Sequence, residues 1–371
     1  MAAPTLDLSL DVVELTRQLC DIESVSGHEG PLADAIEAAL RPLAHLQVLR
    51  DGDAVVARTA LGRPERVLLA GHIDTVPLAA TPNLPTWVQD GLVYGRGTVD
   101  MKGGVAVQLA LAAGVCAPTR DVTYVFYDGE EVESARNGLG RLARGHPQWL
   151  QAGFAVLLEP TGGNVEGGCN GTIRVDVTAR GVAAHSARAW MGRNAIHEAV
   201  TILGRLTAYD PQEVDVDGLV YRESLNAVGI AGGVAGNVIP DHCVVSVNYR
   251  FAPSKSIEDA QAHLCELFTG YDVQVTDAAA GARPGLDLPA AQDFVRMIGR
   301  EPAPKYGWTD VARFSALGVP AVNYGPGDPT GAHSDHEHVD PAQVRECEQR
   351  LRAWLTDAGT TAEPVGSPSG S

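Results

Sequence analysis

Four apolar stretches that each end in His, Asp or Glu constrain this 371-residue chain more than any other feature. Residues 67–70 form a continuous apolar run, the pattern of a strand buried on both faces, and hand over to Gly71-His72-Ile73-Asp74. Residues 122–127 alternate and are rich in β-branched and aromatic side chains, and they run into Asp128-Gly129-Glu130-Glu131. Residues 154–158 end at Glu159-Pro160, and 321–324 lead through a Gly/Pro loop to Ala332-His333-Ser334-Asp335-His336-Glu337. In an open α/β sheet, ligands gather at the carboxyl ends of the strands, so these imidazoles and carboxylates are expected to converge. A further piece, Gly97-Thr98-Val99-Asp100-Met101-Lys102-Gly103-Gly104, sets Asp100 one short turn ahead of a helix expected at 103–114, where the helix dipole favours a carboxylate.

Around these pieces the periodicity predicts an α/β domain with a central mixed sheet flanked by helices. An amphipathic helix carries Val12, Leu15, Leu19 and Ile22, and a second covers 31–40 with Pro31 in its first turn. Strands are expected at 46–50 and 54–59, and later helices at 289–300 and 341–357. Between the two parts of this domain the order changes: strand 172–179, helix 194–208, strands 225–231 and 243–251, helix 256–269, strand 272–277. That is the β-α-β-β-α-β plan of an α+β ferredoxin-like unit. The expected division is therefore a discontinuous main domain, 1–170 and 282–359, with an inserted domain at 171–281. Residues 360–371, rich in Gly, Ser and Pro, read as a disordered tail.

The formal net charge of −18 argues against a nucleic-acid partner, which would need a basic patch. No stretch approaches the roughly 20 apolar residues that span a bilayer, and residues 1–10 carry no signal-peptide pattern, so no membrane association and a cytoplasmic location are expected. The six cysteines are scattered without paired spacing, which suits reduced thiols better than disulfides or a thiolate zinc site.

The candidate metal ligands are His72, Asp100, Glu131, Glu159 and His333. Nitrogen and oxygen donors without thiolate suit zinc, with cobalt or manganese as substitutes. Five ligands exceed the need of one open tetrahedral zinc and suit two ions that share a carboxylate and a water. Adjacent residues at a strand end point in different directions, so one of Glu130 and Glu131 can bind metal while the other acts as general base. Asp74 can accept the proton of the second ring nitrogen of His72 and fix its tautomer. His72 taken alone reads better as a loop-capping histidine, and it is the company of the other candidates that favours a ligand.

With Gly71-His72-Ile73-Asp74-Thr75-Val76-Pro77, Gly97 to Gly104, Asp128-Gly129-Glu130-Glu131 and Glu159-Pro160 in this order, the chain resembles the co-catalytic zinc metallopeptidases. These include aminoacylases, acetylornithine deacetylases, carboxypeptidase G-type enzymes and succinyl-diaminopimelate desuccinylases. The resemblance covers nearly the whole chain apart from its tail. It implies two zinc ions per chain, one on His72, Asp100 and Glu159, the other on Asp100, Glu131 and His333, with Asp100 bridging and Glu130 as base. It also implies a homodimer formed through the inserted lid domain. Gly181-Val182-Ala183-Ala184-His185-Ser186 is similar to the pattern whose histidine reaches the partner's site.

Within the family the segments Gly168 to Arg174, Ala184 to Arg188, Lys305 to Phe314 and Asn323 to Gly327 most resemble the desuccinylase branch of actinobacterial type. The implied reaction is hydrolysis of N-succinyl-LL-2,6-diaminopimelate by a metal-bridging hydroxide, which makes the partner a small N-acyl amino acid. Thr309 and Arg313 are implied in substrate binding. Arg250 is either a structural pairing residue or a bidentate clamp for a substrate carboxylate, and Asn237 is either a turn residue or a substrate hydrogen-bond donor. Cys169 and Asn170 stand where other branches carry an arginine, and His336 departs from the usual Asp or Asn. Two alternatives remain: another hydrolase of the family, such as an acetylornithine deacetylase, aminoacylase or carboxypeptidase, and a non-catalytic metal- or peptide-binding protein.

Overall fold

In the computed structural model, residues 4–357 are described, so the tail expected at 360–371 lies outside the described residues. Contacts divide the chain into two compact units: one holds residues up to Asn164, Asp293–Arg300 and the chain from Tyr324, and the other holds Val165–Gln292 and Glu301–Asn323. The second unit thus extends beyond the span 171–281 on both sides.

The first unit opens with helix α1 (Val12–Asp21), which buries Val12, Leu15 and Leu19 and is capped by the Asp11 side chain on the Val13 amide. Helix α2 (Gly30–Leu40) follows with Pro31 in its first turn. Strands β1 (Gln47–Asp51) and β2 (Ala54–Arg58) form a hairpin, and β3 (Arg66–His72) is buried from Val67 onward. Helix α3 (Lys102–Gly114), strand β4 (Asp121–Tyr127), helix α4 (Gly138–Gly145) and strand β5 (Phe154–Leu157) complete this part. The strands lie in the order β1-β2-β4-β3-β5. β2 pairs antiparallel with β4, whereas β3 pairs parallel with both β4 and β5. This is a mixed sheet with helices packed on it.

Helix α3 packs closely on the sheet at Gly104, and its composition explains why. The Gln108 amide donates to the Leu69 and Val125 carbonyls, both at 3.0 Å, anchoring the helix to two strands. A Cβ on Gly104 would stand 2.2 Å from the Leu158 carbonyl oxygen, so no larger residue fits there. The C-terminal helix Pro341–Thr356 packs on α1 and α3, with Trp354 among its buried side chains. Among the described residues no helix is long and apolar enough to cross a membrane.

The second unit is built on β6 (Gly171–Arg180), α5 (Ala195–Thr207), β7 (Ser224–Gly232), β8 (His242–Phe251), α6 (Ile257–Leu267) and β9 (Asp272–Ala279). The four strands are antiparallel in the order β7-β8-β6-β9. Ile173, Val175 and Val177 alternate inward on β6 and share one core with Ala199 and Ile202 of α5 and Leu264 of α6, so both helices cover one face. A reciprocal Ser256–Asp259 capping box starts α6. Three short strands, Ala321–Asn323, Glu166–Gly167 and Ala303–Pro304, pair in that order beside a six-residue helix, Val311–Ala316.

Gly104→Ala should destabilise the protein by at least about 1–3 kcal/mol, the usual range for overpacking. Urea unfolding followed by circular dichroism measures this; an unchanged midpoint would show that the helix can move away from Leu158 without cost.

Candidate metal centre

The parallel register of β3, β4 and β5 sets the centre. His72 is level with Tyr127, and Ala70 with Leu157, so the chain leaves all three strands at one edge. The Ile73 amide donates to the Tyr127 carbonyl at 2.8 Å and the Leu158 amide to the Ala70 carbonyl at 2.9 Å, carrying the register one residue beyond the strands. His72, the turn Asp128 to Glu131, and Glu159 issue from that edge, and Asp100 joins them from the loop ahead of α3. Every metal-ligand candidate belongs to the first unit.

Asp100 is the hub. Its Oδ1 lies 3.1 Å from His72 Nε2, and its Oδ2 lies 3.2 Å from His333 Nε2. His333 Nε2 is also 2.9 Å from Glu131 Oε1. One ligand atom each from His72, Asp100 and Glu131 lie within 4.8 Å of one another. Two donors bound tetrahedrally to one zinc at about 2 Å stand roughly 3.3 Å apart, so these spacings fit metal ligation. Glu159 is buried at the end of β5, within electrostatic reach of His72. His72 is almost fully buried, at 1% side-chain exposure, whereas His333 is half exposed, at 52%.

Asp74 makes contacts well beyond the imidazole of His72. His72 Nδ1 stands 3.1 Å from the Asp74 backbone carbonyl and 3.5 Å from carboxylate Oδ1. The carboxylate accepts from the backbone amides of Glu130 at 3.0 Å and Glu131 at 3.1 Å, and from Ser26 Oγ at 2.7 Å. One buried carboxylate thus fixes the turn that presents both glutamates. Arg141 holds the other end of that turn, bonding the two Asp128 oxygens at 2.7 and 3.0 Å. Lys102 directs its Nζ away, to the Leu19 and Ile22 carbonyls at 3.2 and 3.0 Å.

The charges follow from this packing. Burial opposes a proton on His72, but the hydrogen bond to Asp100 and the Asp74 carboxylate outweigh it and raise the imidazole well above its ordinary range. His333 is raised to about 10, first by Asp100 and then by Glu131. Burial would raise Asp100, yet its two imidazole partners hold it well below the usual carboxylate range. Both shifts favour the protonated imidazoles, which can donate to the carboxylates around them.

His185, Asn237, Arg250, Thr309 and Arg313 all belong to the second unit. His185 is exposed and its Nδ1 accepts from the Ala187 amide at 3.1 Å. Asn237 is exposed in a turn, and its carbonyl accepts from Ser186. Arg250 is half-buried near the end of β8, and burial lowers its pKa. The Thr309 hydroxyl donates to Asn323 Oδ1 at 3.0 Å, and Arg313 pairs with Asp310 while lying 5.3 Å over the Trp308 ring. Thr309 and Arg313 thus already have internal partners. Arg96 and Ser26 have partners far along the chain that leave no local signal in the sequence, and Arg141 reaches Asp128 across 13 positions, a spacing that matches no helical or strand period.

Comparison with known proteins gives a consistent result. A sequence profile of peptidase family M20/M25/M40 matches residues 68–357. A Mycobacterium tuberculosis protein provisionally named a succinyl-diaminopimelate desuccinylase is 53% identical over 94% of this chain and 99% of its own length. A Corynebacterium glutamicum succinyl-diaminopimelate desuccinylase is 46% identical over 95% and 98%. Among solved structures, a Staphylococcus aureus tripeptidase superposes with a TM-score of 0.76 at 20% identity, over 95% of this chain and 98% of that one. A Sulfolobus solfataricus metallo-carboxypeptidase of the M20 family gives 0.75 at 15%, over 93% and 98%. At that identity the likeness speaks for the fold alone.

Because the imidazoles must lose their protons to bind metal, zinc added to metal-free protein at pH 7 should release protons, and its affinity should fall as pH falls. Calorimetry in buffers of different ionisation enthalpy measures the release. A binding heat independent of buffer would contradict the protonated cluster.

Proposed function

The chain belongs to peptidase family M20/M25/M40, and we propose that it is a two-zinc desuccinylase that converts N-succinyl-LL-2,6-diaminopimelate and water to succinate and LL-2,6-diaminopimelate. The carrying observation is Asp100, whose two oxygens each face a different histidine, at 3.1 and 3.2 Å, as a carboxylate shared by two ions would. The acyl group is inferred from the two relatives that match end to end at 53% and 46% identity.

His72 and Glu159 would hold one metal ion and Glu131 and His333 the other, with Asp100 common to both. Bound zinc would acidify a water and polarise the scissile carbonyl. Glu130 takes a proton from the attacking water and returns it to the departing amine, which keeps the reaction proton-neutral. The Asp74 carboxylate on the Glu130 amide holds that base in place. Arg250 binds a substrate carboxylate, Asn237 donates to the substrate, and Thr309 and Arg313 take part in substrate binding. A non-catalytic binding role is disfavoured because Glu130 and all five ligands are retained.

The second unit acts as lid and dimer contact. Support comes from β7, the edge strand of its sheet, which exposes Val228 at 62% and Ile230 at 56%. An apolar edge of this kind calls for a partner. In the dimer, His185 crosses to the partner's centre and donates to the developing oxyanion. The free state of all six cysteines suits a reducing cytoplasm.

A panel of N-succinyl and N-acetyl amino acids, with zinc supplied, tests the substrate: the succinyl-diaminopimelate substrate should have the highest kcat/KM. A preference for acetylornithine or for peptides would replace the assignment with another activity of the family. Zinc content should saturate at two per chain and fall to one in His333→Ala. Glu130→Ala should lose at least about 10²–10⁴-fold in kcat with both zinc ions retained. Oxyanion donors are worth roughly 10²–10³ in kcat, so His185→Ala should be similarly impaired. Mixing it with Glu130→Ala should restore activity on subunit exchange; an inactive mixture with proven exchange rules out a shared site.

A further inference from the structure

Two buried side chains outside the ligand set, Arg96 and Glu337, tie together the loops that carry the ligands. Their side chains are 4% and 1% exposed, and Arg96 Nη1 lies 2.8 Å from Glu337 Oε2. The other Glu337 oxygen accepts from the backbone amides of Val99 at 3.0 Å and Asp100 at 3.1 Å. Arg96 also donates from Nη1 to the Ser334 carbonyl and from Nε to the Pro77 carbonyl, both at 3.2 Å. The pair therefore touches the main chain at Asp100, next to His333, and three residues beyond Asp74.

Stability alone is a weak account of such a pair, since replacing a buried ion pair with apolar residues is often neutral or stabilising. What apolar residues cannot supply is an acceptor for two amides at the shared carboxylate and a donor for the carbonyl beyond His333. That second bond matters because His333 has φ 62°, in the left-handed region that non-glycine residues rarely adopt. Ser334 Oγ, bonded to the Gly331 carbonyl at 2.8 Å, supports the same turn. Asp100 meets two imidazoles through opposite oxygens, so rotation of its main chain would release one of them.

We propose that Arg96 and Glu337 are positioning residues that pre-set Asp100 and His333 for metal, and thereby determine how tightly the metal shared by those two ligands is held. This rests on the two-metal reading of the centre. Partners that orient metal ligands are typically worth about 10–100-fold in metal affinity. The test is zinc affinity of metal-free wild type, Glu337→Ala, Glu337→Gln and Arg96→Lys, measured by competition with a chromophoric chelator, with folding checked by circular dichroism. Glu337→Ala should weaken the more loosely held zinc about 10–100-fold. Glu337→Gln, which keeps an oxygen for the two amides, should recover part of the loss. Arg96→Lys keeps the charge but loses the fork, and should also bind zinc more weakly. Activity of all three should fall at limiting zinc and recover toward wild type at saturating zinc, with KM for substrate unchanged. Folded variants with wild-type zinc affinity would overturn the proposal. So would failure of all three to fold, which would make the pair a folding determinant instead. Wild type that binds no zinc would overturn the two-metal reading itself, a result distinguishable from either.

Discussion

Three parallel strands whose ends lie at one edge of the sheet are the constraint from which the centre follows. Parallel pairing fixes the direction of β3, β4 and β5, and the register His72 opposite Tyr127 and Ala70 opposite Leu157 fixes how far each extends. Side chains just beyond those ends have little choice but to meet. The close approach of α3, secured by Gly104 and Gln108, then brings the loop of Asp100 over the same edge. A centre built on strand ends is also rigid, which suits ligands that must be held to a few tenths of an ångström.

The charges reinforce that geometry. Carboxylates gathered at one edge would repel one another, and the two imidazoles separate them by sitting between Asp100 and its neighbours. The lysine nearest in sequence, Lys102, is bonded to carbonyls of the α1 end and leaves the centre to histidine. A fixed ammonium there would compete with metal. A protonated imidazole can release its proton to solvent and take a metal ion in its place.

Much of this was legible because the informative patterns are local. Apolar runs of strand length that end in His, Asp or Glu mark the sheet edge, helical spacing marks α1, and a stretch rich in Val, Leu and Ala marks α3. The less legible parts depend on contacts distant in sequence. Helix α4 begins Gly138-Leu139-Gly140, a poor helical start by propensity, yet Asn137 caps Gly140 and a Cβ on Gly138 would stand 2.3 Å from Asp128 Oδ1. The hairpin Trp87–Gln89 and Leu92–Tyr94 is too short for a periodic signal. Asp74 was visible as an acid beside His72, but its bonds to the Glu130 and Glu131 amides join positions more than fifty residues apart. Arg96 and Glu337 are separated by 241 positions, a distance across which no spacing rule operates.

The first unit is interrupted, with the whole of the second unit lying between Glu159 and His333. During synthesis this becomes an order in time. His72, Asp100, Glu131 and Glu159 all leave the ribosome before the second unit is made, while His333 and Glu337 emerge after it. Domains generally fold as units during synthesis, N-terminal first. The nascent chain can therefore assemble one half of its centre early, but it cannot close the other half until the inserted segment has been translated. Completion of the centre is thus a late checkpoint on the whole polypeptide.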